Sequence, residues 1–437
     1  MNLPQILSLI LLVVILVLAV WRHVNIGLLG FSAAAIMVMA TTAIADGSDT
    51  YTVLTSKDVL SHFPGAIVTL LIGVSLLFAH LEKSGGLSWF TDQIYAKMGH
   101  RTNIVPWIGY FIGFAISTAG AFSTASITLL VPVIAALGRK HPRLFFICEM
   151  AAIIGANTGA LSPINPTGQV ILDAAKKAHV EYSPWLVWFL GMLISFVLVI
   201  ALQIVFQDKR VVETSDSKAP EKGFVLLKPI KQENGDNHQL QPFYAICSTI
   251  AVLIFLILVI FAKANVGLTA LTLAVIMMLF FTQQSKDFVK KIPWNAVVVI
   301  SGLLVFIGTM MQVDTMKAVE QGLLSMTSSK IALLFMLAYL TTFLSNVESS
   351  TLGVISLMIP MVFTIFGDSP QISLILTACA APAMLSVVNP IHIAGTLVVS
   401  VTEEKQQEMM FKRLLIIAFA TVPFFPGLAM IVPALMM

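Results

Sequence analysis

Apolar residues run along this chain in long blocks, and short polar stretches separate the blocks. A helix needs roughly 20 consecutive apolar residues to cross a bilayer, and several blocks approach that length. We predict plain membrane spans at about 4–20, 25–44, 62–81, 184–206, 242–262, 265–282, 295–312 and 411–435. The pattern therefore indicates an all-α polytopic membrane protein.

Two further apolar blocks are each divided by a polar tip into arms that are short for a full crossing. We predict that each block forms a re-entrant hairpin, which enters the bilayer and leaves it on the same side. The hairpins are placed at about 104–138, with a tip at 117–124, and at about 330–367, with a tip at 345–351. An amphipathic, interfacial piece is predicted before each hairpin, at 83–100 and 314–328.

Two more blocks, at about 143–178 and 371–402, carry a proline-bearing joint within them. The joints read LSPINP at 161–166 and LSVVNP at 385–390. Proline breaks a helix because it lacks the N–H, and Asn followed by Pro is a favourable start for a new helix. Each block is therefore predicted to form two half-helices around an unwound joint. Such joints survive in a bilayer only inside protein or beside a cavity, and they indicate a transporter binding site.

The two halves of the chain carry similar segments in the same order. The matches are Asn25–Leu28 with Asn265–Leu268 at an offset of 240, Gly73 with Gly302 at 229, Pro132 with Pro360 at 228, and Asn165–Pro166 with Asn389–Pro390 at 224. Each half then holds five spans, one of them broken, and one hairpin. Because five is odd, the second copy starts from the opposite face, so we predict inverted repeats. The repeats are placed at 1–206 and 242–437, and a polar cytoplasmic linker at 207–241 joins them.

Composition and charge narrow the class of protein further. The chain is 58% hydrophobic and 11% charged, a balance that excludes an ordinary soluble domain. With the linker in the cytoplasm, 19 of the 25 Lys and Arg residues fall on the cytoplasmic side, as the positive-inside rule requires. No metalloprotease, serine-hydrolase or P-loop motif occurs, so we predict no enzyme activity and no cofactor. The first basic residue, Arg22, follows the first apolar block, which favours a retained span over a cleaved signal peptide.

The tips and joints hold the candidate chemistry, and they contain no Lys or Arg. Helix N-termini present free N–H groups and a partial positive charge, which suits a ligand with two separated anionic ends. The candidate substrate-binding residues are Ser123, Thr124, Asn165, Thr167, Ser350, Thr351 and Asn389. Unwound carbonyls beside hydroxyls suit Na⁺, which would also balance the charge of a dianion. The candidate Na⁺ ligands are Ser162, Asn157, Ser386 and Asn346.

Other interpretations of these residues stay open. A lone Ser or Thr in a membrane helix often bonds only to its own backbone, and capping alone accounts for Asn165 and Asn389. Glu348, the carboxylate of the second tip, is a candidate proton carrier. It supports the alternative function, a cation/proton antiporter or arsenite-type efflux carrier of the same architecture. Glu149 lies near a basic loop, which favours a structural role.

These features resemble the ion transporter superfamily and, within it, the divalent anion:sodium symporters. The first-half segments WRHVNIGLLGF, FPGAIVTLLIGVSLLFAHLEKSGGLSWF and GANTGALSPINPTGQVI are similar to the malonate/dicarboxylate carrier family. The resemblance implies a homodimeric carrier of malonate or a C4-dicarboxylate, often coupled to Na⁺, that works by an elevator motion. The symporters carry Ser-Asn-Thr at both tips, whereas the matching positions here are Phe122-Ser123-Thr124 and Ser350-Thr351-Leu352. From the family resemblance, we expect secondary active symport of a small dicarboxylate across a bacterial inner membrane.

Overall fold

A computed structural model describes most of the chain. The described residues are 2–22, 24–44, 53–86, 104–140, 142–206, 241–327, 329–347, 351–386, 388–390 and 392–436. Throughout these ranges the chain is built from helices and the short segments that connect them. The predicted linker, up to residue 240, and most of the predicted interfacial piece at 83–100 lie outside the described residues.

Within the described residues, the first half of the chain contributes nine α-helices. They are α1 (Leu3–Arg22), α2 (Ile26–Ile44), α3 (Ser56–Ser61), α4 (Gly65–Lys83), α5 (Val105–Thr118), α6 (Ser123–Lys140), α7 (Pro142–Gly159), α8 (Pro166–Lys177) and α9 (Pro184–Phe206). Helices α5 and α6 correspond to the arms of the first predicted hairpin. Helices α7 and α8 correspond to the two halves of the first predicted broken span.

The second half repeats this order. It contains α10 (Pro242–Ile260), α11 (Val266–Phe280), a 3₁₀ turn (Phe288–Lys291), α12 (Trp294–Gln312), α13 (Thr315–Met326), α14 (Lys330–Val347), α15 (Thr351–Phe366), α16 (Ile372–Leu385), α17 (Ile393–Val401) and α18 (Glu404–Met436). Helices α14 and α15 are the arms of the second hairpin. Helices α16 and α17 are the halves of the second broken span.

Helix length distinguishes most of the plain spans from the hairpin arms and the broken halves, although the plain span α11 has only 15 residues. Within the described residues, six helical stretches are long and apolar enough to cross a membrane, namely α2, α3 with α4, α9, α10, α12 and α18. The hairpin arms and broken halves have 9 to 18 residues. At 1.5 Å per residue, even the longest of these reaches only about 27 Å. Large apolar side chains on the plain spans, such as Ile204, Leu279 and Leu435, are exposed, as a lipid-facing surface requires.

Outside the tips and joints, the structure departs from the predicted elements at three places. Helix α18 begins at Glu404 rather than near 411, because the polar residues before the apolar block are good helix formers. The short α3 was not predicted, although Thr55 and Asp58 form a complete capping box at its start. The 3₁₀ turn Phe288–Lys291 was not predicted either, because four residues carry too little periodicity to show it.

The second and third predicted spans of each half, α2 and α4 in the first and α11 and α12 in the second, pack against those of the other half at glycines. Helix α2 packs on α12, and α11 packs on α4. A Cβ atom on Gly302 would lie 1.8 Å from the carbonyl oxygen of Gly27, and one on Gly73 would lie 2.6 Å from that of Gly267. The sequence offsets match Gly27 with Gly267 and Gly73 with Gly302. Corresponding glycines therefore make the close approach in both helix pairs.

The hairpins and broken spans form a second set of paired contacts. Within each half, the first hairpin arm packs on the first half of the broken span, α5 on α7 and α14 on α16. Between the halves, α6 packs on α17 and α15 packs on α8. This arrangement places each unwound joint beside the hairpin tip of its own half.

Candidate functional site

The first joint is fastened to its hairpin tip by the side chain of Asn165. Its Oδ1 accepts a hydrogen bond from the Thr167 amide at 3.0 Å, which caps α8 as the Asn-Pro pattern predicts. Its Nδ2 donates to the carbonyl oxygens of Ser117 and Ala121 at 2.8 and 2.7 Å. The side chain is fully buried. All of its polar atoms are therefore used by the protein itself, and Asn165 sets the position of the tip relative to the joint.

Ser162 adds a second bond between the same two segments. Its hydroxyl donates to the Thr118 carbonyl at 3.0 Å and accepts from the Ile164 amide at 3.2 Å. The tip itself turns at Gly120, whose φ of 117° is a conformation that favours glycine. Across the arms, the Ser117 and Ser126 hydroxyls lie 3.0 Å apart. The first tip and joint thus form one closely bonded unit.

The second joint differs from the first in where its new helix begins. The sequence predicted a start at Asn389-Pro390, and this expectation is wrong, because α17 begins at Ile393 with His392 as its N-cap. The His392 amide donates to the Asn389 carbonyl at 3.0 Å, so the chain first makes a turn. The Asn389 side chain donates to the Asn346 carbonyl at 2.7 Å. Asn389 therefore bonds to its hairpin, as Asn165 does, but does not cap a helix.

Asn346 lies between the second hairpin and the second joint. Its Nδ2 donates to Ser386 Oγ at 2.9 Å and to the Thr342 carbonyl at 3.0 Å. Its Oδ1 is buried and has no hydrogen-bond partner among the described residues. Ser345 lies beside it, and its carbonyl is 2.9 Å from His392 Nε2. A buried oxygen without a partner costs free energy, so this oxygen is a candidate for contact with a bound cation.

Several of the remaining candidate residues lie in the described part of the chain. Asn157 and Thr167 are buried, and Asn157 Nδ2 has no partner among the described residues. Thr124 is half-buried and lines a cavity, described below, and Thr351 is half-buried at the start of α15. Ser350 and Glu348 lie outside the described residues.

A cavity of about 250 Å³ reaches the first hairpin tip from the side of α4. Thr124 and Phe122 line it at the tip, and Ser75 and Glu82 line it along α4. The Lys291 side chain also lines it, and its ammonium lies 3.2 Å from the Glu82 carboxylate. Sequence patterns did not indicate this ion pair, because the two residues are more than 200 positions apart.

The first half of the first broken span carries a buried acidic residue. Glu149, on α7, is fully buried, and neither carboxylate oxygen has a hydrogen-bond partner in the described part of the chain. It lies ten residues, or about 15 Å along the helix, before the end of α7 at Gly159. Glu149 is therefore separate from the first joint.

Comparison with known proteins places this architecture among membrane transporters. The crystal structure of the YdaH transporter of Alcanivorax borkumensis, described as having an unusual topology, superposes with a TM-score of 0.57 at 12% identity. The match covers 91% of this chain and 96% of the other. No curated protein is significantly similar to the chain. The CitMHS family, described as citrate transporters, matches residues 15–380. The match spans most of the chain, so the protein is a transporter rather than an enzyme and belongs to the citrate transporter family.

Proposed function

We propose that this protein is a secondary active transporter of a small dicarboxylate, malonate or a C4 acid, and that it works by Na⁺-coupled symport in a bacterial inner membrane. The observation that carries the proposal is the pairing of two buried, unwound joints with two hairpin tips through Asn165 and Asn389. Broken helices with half-helix ends at a shared position are the binding-site design of secondary transporters.

The chemistry of the tips favours an anion of low charge. Helices α6, α8 and α15 begin at or beside the tips and joints, and their N-termini present amide donors to an anion. Sequence positions 117–124, 161–166, 345–351 and 385–390 contain no Lys or Arg. A trianion would therefore need more compensating charge than a dianion. The family's description as citrate transporters makes citrate the main competing substrate.

The coupling ion is assigned to the second joint. Asn346 Oδ1 is a buried acceptor without a partner in the described ranges, and Ser386 Oγ lies 2.9 Å from Asn346 Nδ2. Na⁺ prefers oxygen ligands of this kind, from amides, hydroxyls and carbonyls. The first joint has fewer free acceptors, because Asn165 and Ser162 bond to the hairpin. The proposal therefore gives Asn346 and Ser386 priority over Ser162 and Asn157 as Na⁺ ligands.

The Na⁺ assignment predicts an ion-specific defect in two variants. Asn346→Ala or Ser386→Ala should raise the Na⁺ concentration for half-maximal uptake by about tenfold, which corresponds to about 1.4 kcal/mol of lost binding. Loss of one oxygen ligand is the physical reason. Uptake as a function of Na⁺ is the measurement, with Ser248→Ala as the control, since Ser248 is buried between α10 and α4. An unchanged Na⁺ dependence in both variants would remove the ion from this joint.

The elevator motion and the homodimer are part of the proposal. The hairpins with the broken spans would form the moving body. The cross-packed pairs α2 with α12 and α4 with α11 would form the static body, since glycine contacts hold each pair at close distance. Exposed apolar side chains on several plain spans leave room for a lipid-embedded partner chain.

The first test is uptake of radiolabelled malonate, succinate and citrate into proteoliposomes, with and without an inward Na⁺ gradient at fixed pH. We expect saturable, Na⁺-dependent uptake of malonate or succinate, with citrate as the weaker substrate. Preferred uptake of citrate would replace the dicarboxylate assignment. No uptake of any of the three acids, even with the same acid preloaded inside, would favour the efflux alternative.

One observation favours coupling to protons instead of Na⁺. Glu149 is a buried carboxyl group without a described hydrogen-bond partner, and acids within membrane spans often carry protons. Uptake driven by a pH gradient and indifferent to Na⁺ would move the coupling to Glu149 or to Glu348. Glu149→Gln would then remove the pH dependence.

A further inference from the structure

The cavity beside the first hairpin tip extends from an ion pair to the candidate site. Glu82 and Lys291 lie at the end where α4 and the 3₁₀ turn finish. Ser75 and Thr124 lie on its walls. From Ser75 to Glu82, the cavity follows α4 for roughly 10 Å. It therefore joins the charged end of α4 to the beginning of α6, the helix whose N-terminus faces the site.

Among the described residues that line this cavity, Lys291 is the cation, and Glu82 partly neutralises it. The side chain of Lys291 is 53% exposed and that of Glu82 is 23% exposed. A half-exposed ion pair is held weakly, so an incoming carboxylate can compete with Glu82 for the ammonium. Phe78 and Phe122 give the cavity apolar walls, so inside the cavity the field of Lys291 is screened less than at an open surface.

We propose that Lys291 forms an access site for carboxylate anions, where the substrate is attracted before it reaches Thr124, and that Glu82 regulates this site by competing for the ammonium. The inference rests on the proposed anion transport for its physiological role. It adds a cationic residue to a binding site whose tips and joints contain no Lys or Arg.

The direct test measures attraction of anions without relying on transport. Ala125 lines the cavity and is exposed, so Ala125→Cys in a Cys247→Ser background supplies a reactive thiol. Labelling rates are compared for an anionic and a cationic methanethiosulfonate reagent of similar size. We expect Lys291→Gln to lower the anionic-to-cationic rate ratio about tenfold, and Glu82→Gln to raise it. Lys291→Arg should keep the original ratio.

Lys290→Gln is the matched control. Lys290 is adjacent in sequence, is 82% exposed and pairs with Asp287 instead of lining the cavity. Its replacement should leave the ratio unchanged. If the ion pair were purely structural, Lys291→Gln and Glu82→Gln would change the labelling ratio in the same direction, and this result would overturn the proposal. Equal changes of the ratio in Lys290→Gln and Lys291→Gln would also overturn it.

Uptake kinetics then separate this inference from the proposed function. We expect Lys291→Gln to raise the KM for the dicarboxylate five- to tenfold at low salt with little change in maximal rate. The wild-type KM should rise with ionic strength, and that of the variant should not. A changed labelling ratio without any dicarboxylate uptake would support the access site and contradict the proposed substrate. Normal uptake with an unchanged labelling ratio would refute the access site alone.

Discussion

At the residue scale, the two asparagines of the joints have different structural roles. Asn165 uses its whole amide group in three hydrogen bonds, two of them to the hairpin tip. Asn389 also bonds to its hairpin, but the helix after it begins at Ile393, with His392 in the N-cap position. The same Asn-Pro pattern therefore gives two local structures. The difference is that the second joint makes an additional turn before its helix begins.

Asn165→Ala should destabilise the protein more than loss of an ordinary helix cap. The variant removes three buried hydrogen bonds, each worth about 1 kcal/mol, so we expect a loss of about 3 kcal/mol and of uptake. Asn265→Ala is the control, because exposed Asn265 caps α11 with one bond to the Leu268 amide. It should cost about 1 kcal/mol. Thermal unfolding in detergent measures both, and equal shifts would contradict the role of Asn165 as a fastening between tip and joint.

The sequence predicted which segments hold the candidate site but not how its atoms pair. The joints and tips were visible as polar interruptions of apolar blocks. Such interruptions are informative because unwound backbone in a membrane has to be buried in protein or line a cavity. The partners of Asn165 and Asn389 are backbone carbonyls about 45 residues away. Because every residue has a backbone carbonyl, the residue type of the partner does not predict such a bond. The unpartnered oxygen of Asn346 likewise becomes evident only in the folded structure.

At the element scale, sequence periodicity located the long helices well and the short ones poorly. Apolar blocks of membrane length produce a clear signal, whereas α3 and the 3₁₀ turn contain six and four residues. The pairing of α2 with α12 and of α4 with α11 was not predictable from periodicity. Its one trace in the sequence is the matched glycines, since close helix contacts in membranes need small residues.

A glycine substitution at one of these contacts should push two helices apart. A Cβ on Gly302 would meet the Gly27 carbonyl at 1.8 Å, and backbone on both sides cannot move aside locally. We expect Gly302→Ala to destabilise the protein by about 3 kcal/mol, the upper end for overpacking. Gly322→Ala is the control, because Gly322 lies in α13 with no atom within 4 Å of an added Cβ. It should be neutral or gain up to about 1 kcal/mol, and a similar loss in both variants would refute this account.

At the scale of the whole molecule, the contacts follow the relation between the two halves that the sequence offsets indicate. Helix α2 packs on α12, and their counterparts α11 and α4 pack on each other. In the same way, α6 packs on α17, and their counterparts α15 and α8 pack on each other. Each contact thus has a counterpart formed by the corresponding elements. Two copies related by a two-fold axis make contacts of this kind, and an axis in the membrane plane would invert one copy relative to the other.

Inverted repeats predict that corresponding residues lie on opposite sides of the membrane. Ser61 and Lys290 are related by the offset of 229 and are both exposed. Each lies shortly before the third predicted span of its half, α4 or α12. We expect Ser61→Cys, in a Cys247→Ser background, to react with a membrane-impermeant thiol reagent in intact cells. Lys290→Cys should react only after the cells are permeabilised, because the positive-inside rule places Lys290 in the cytoplasm. Labelling of both residues from the same side would show parallel repeats instead. Labelling from opposite sides would mean that the two hairpins enter the bilayer from opposite faces, as inverted repeats require.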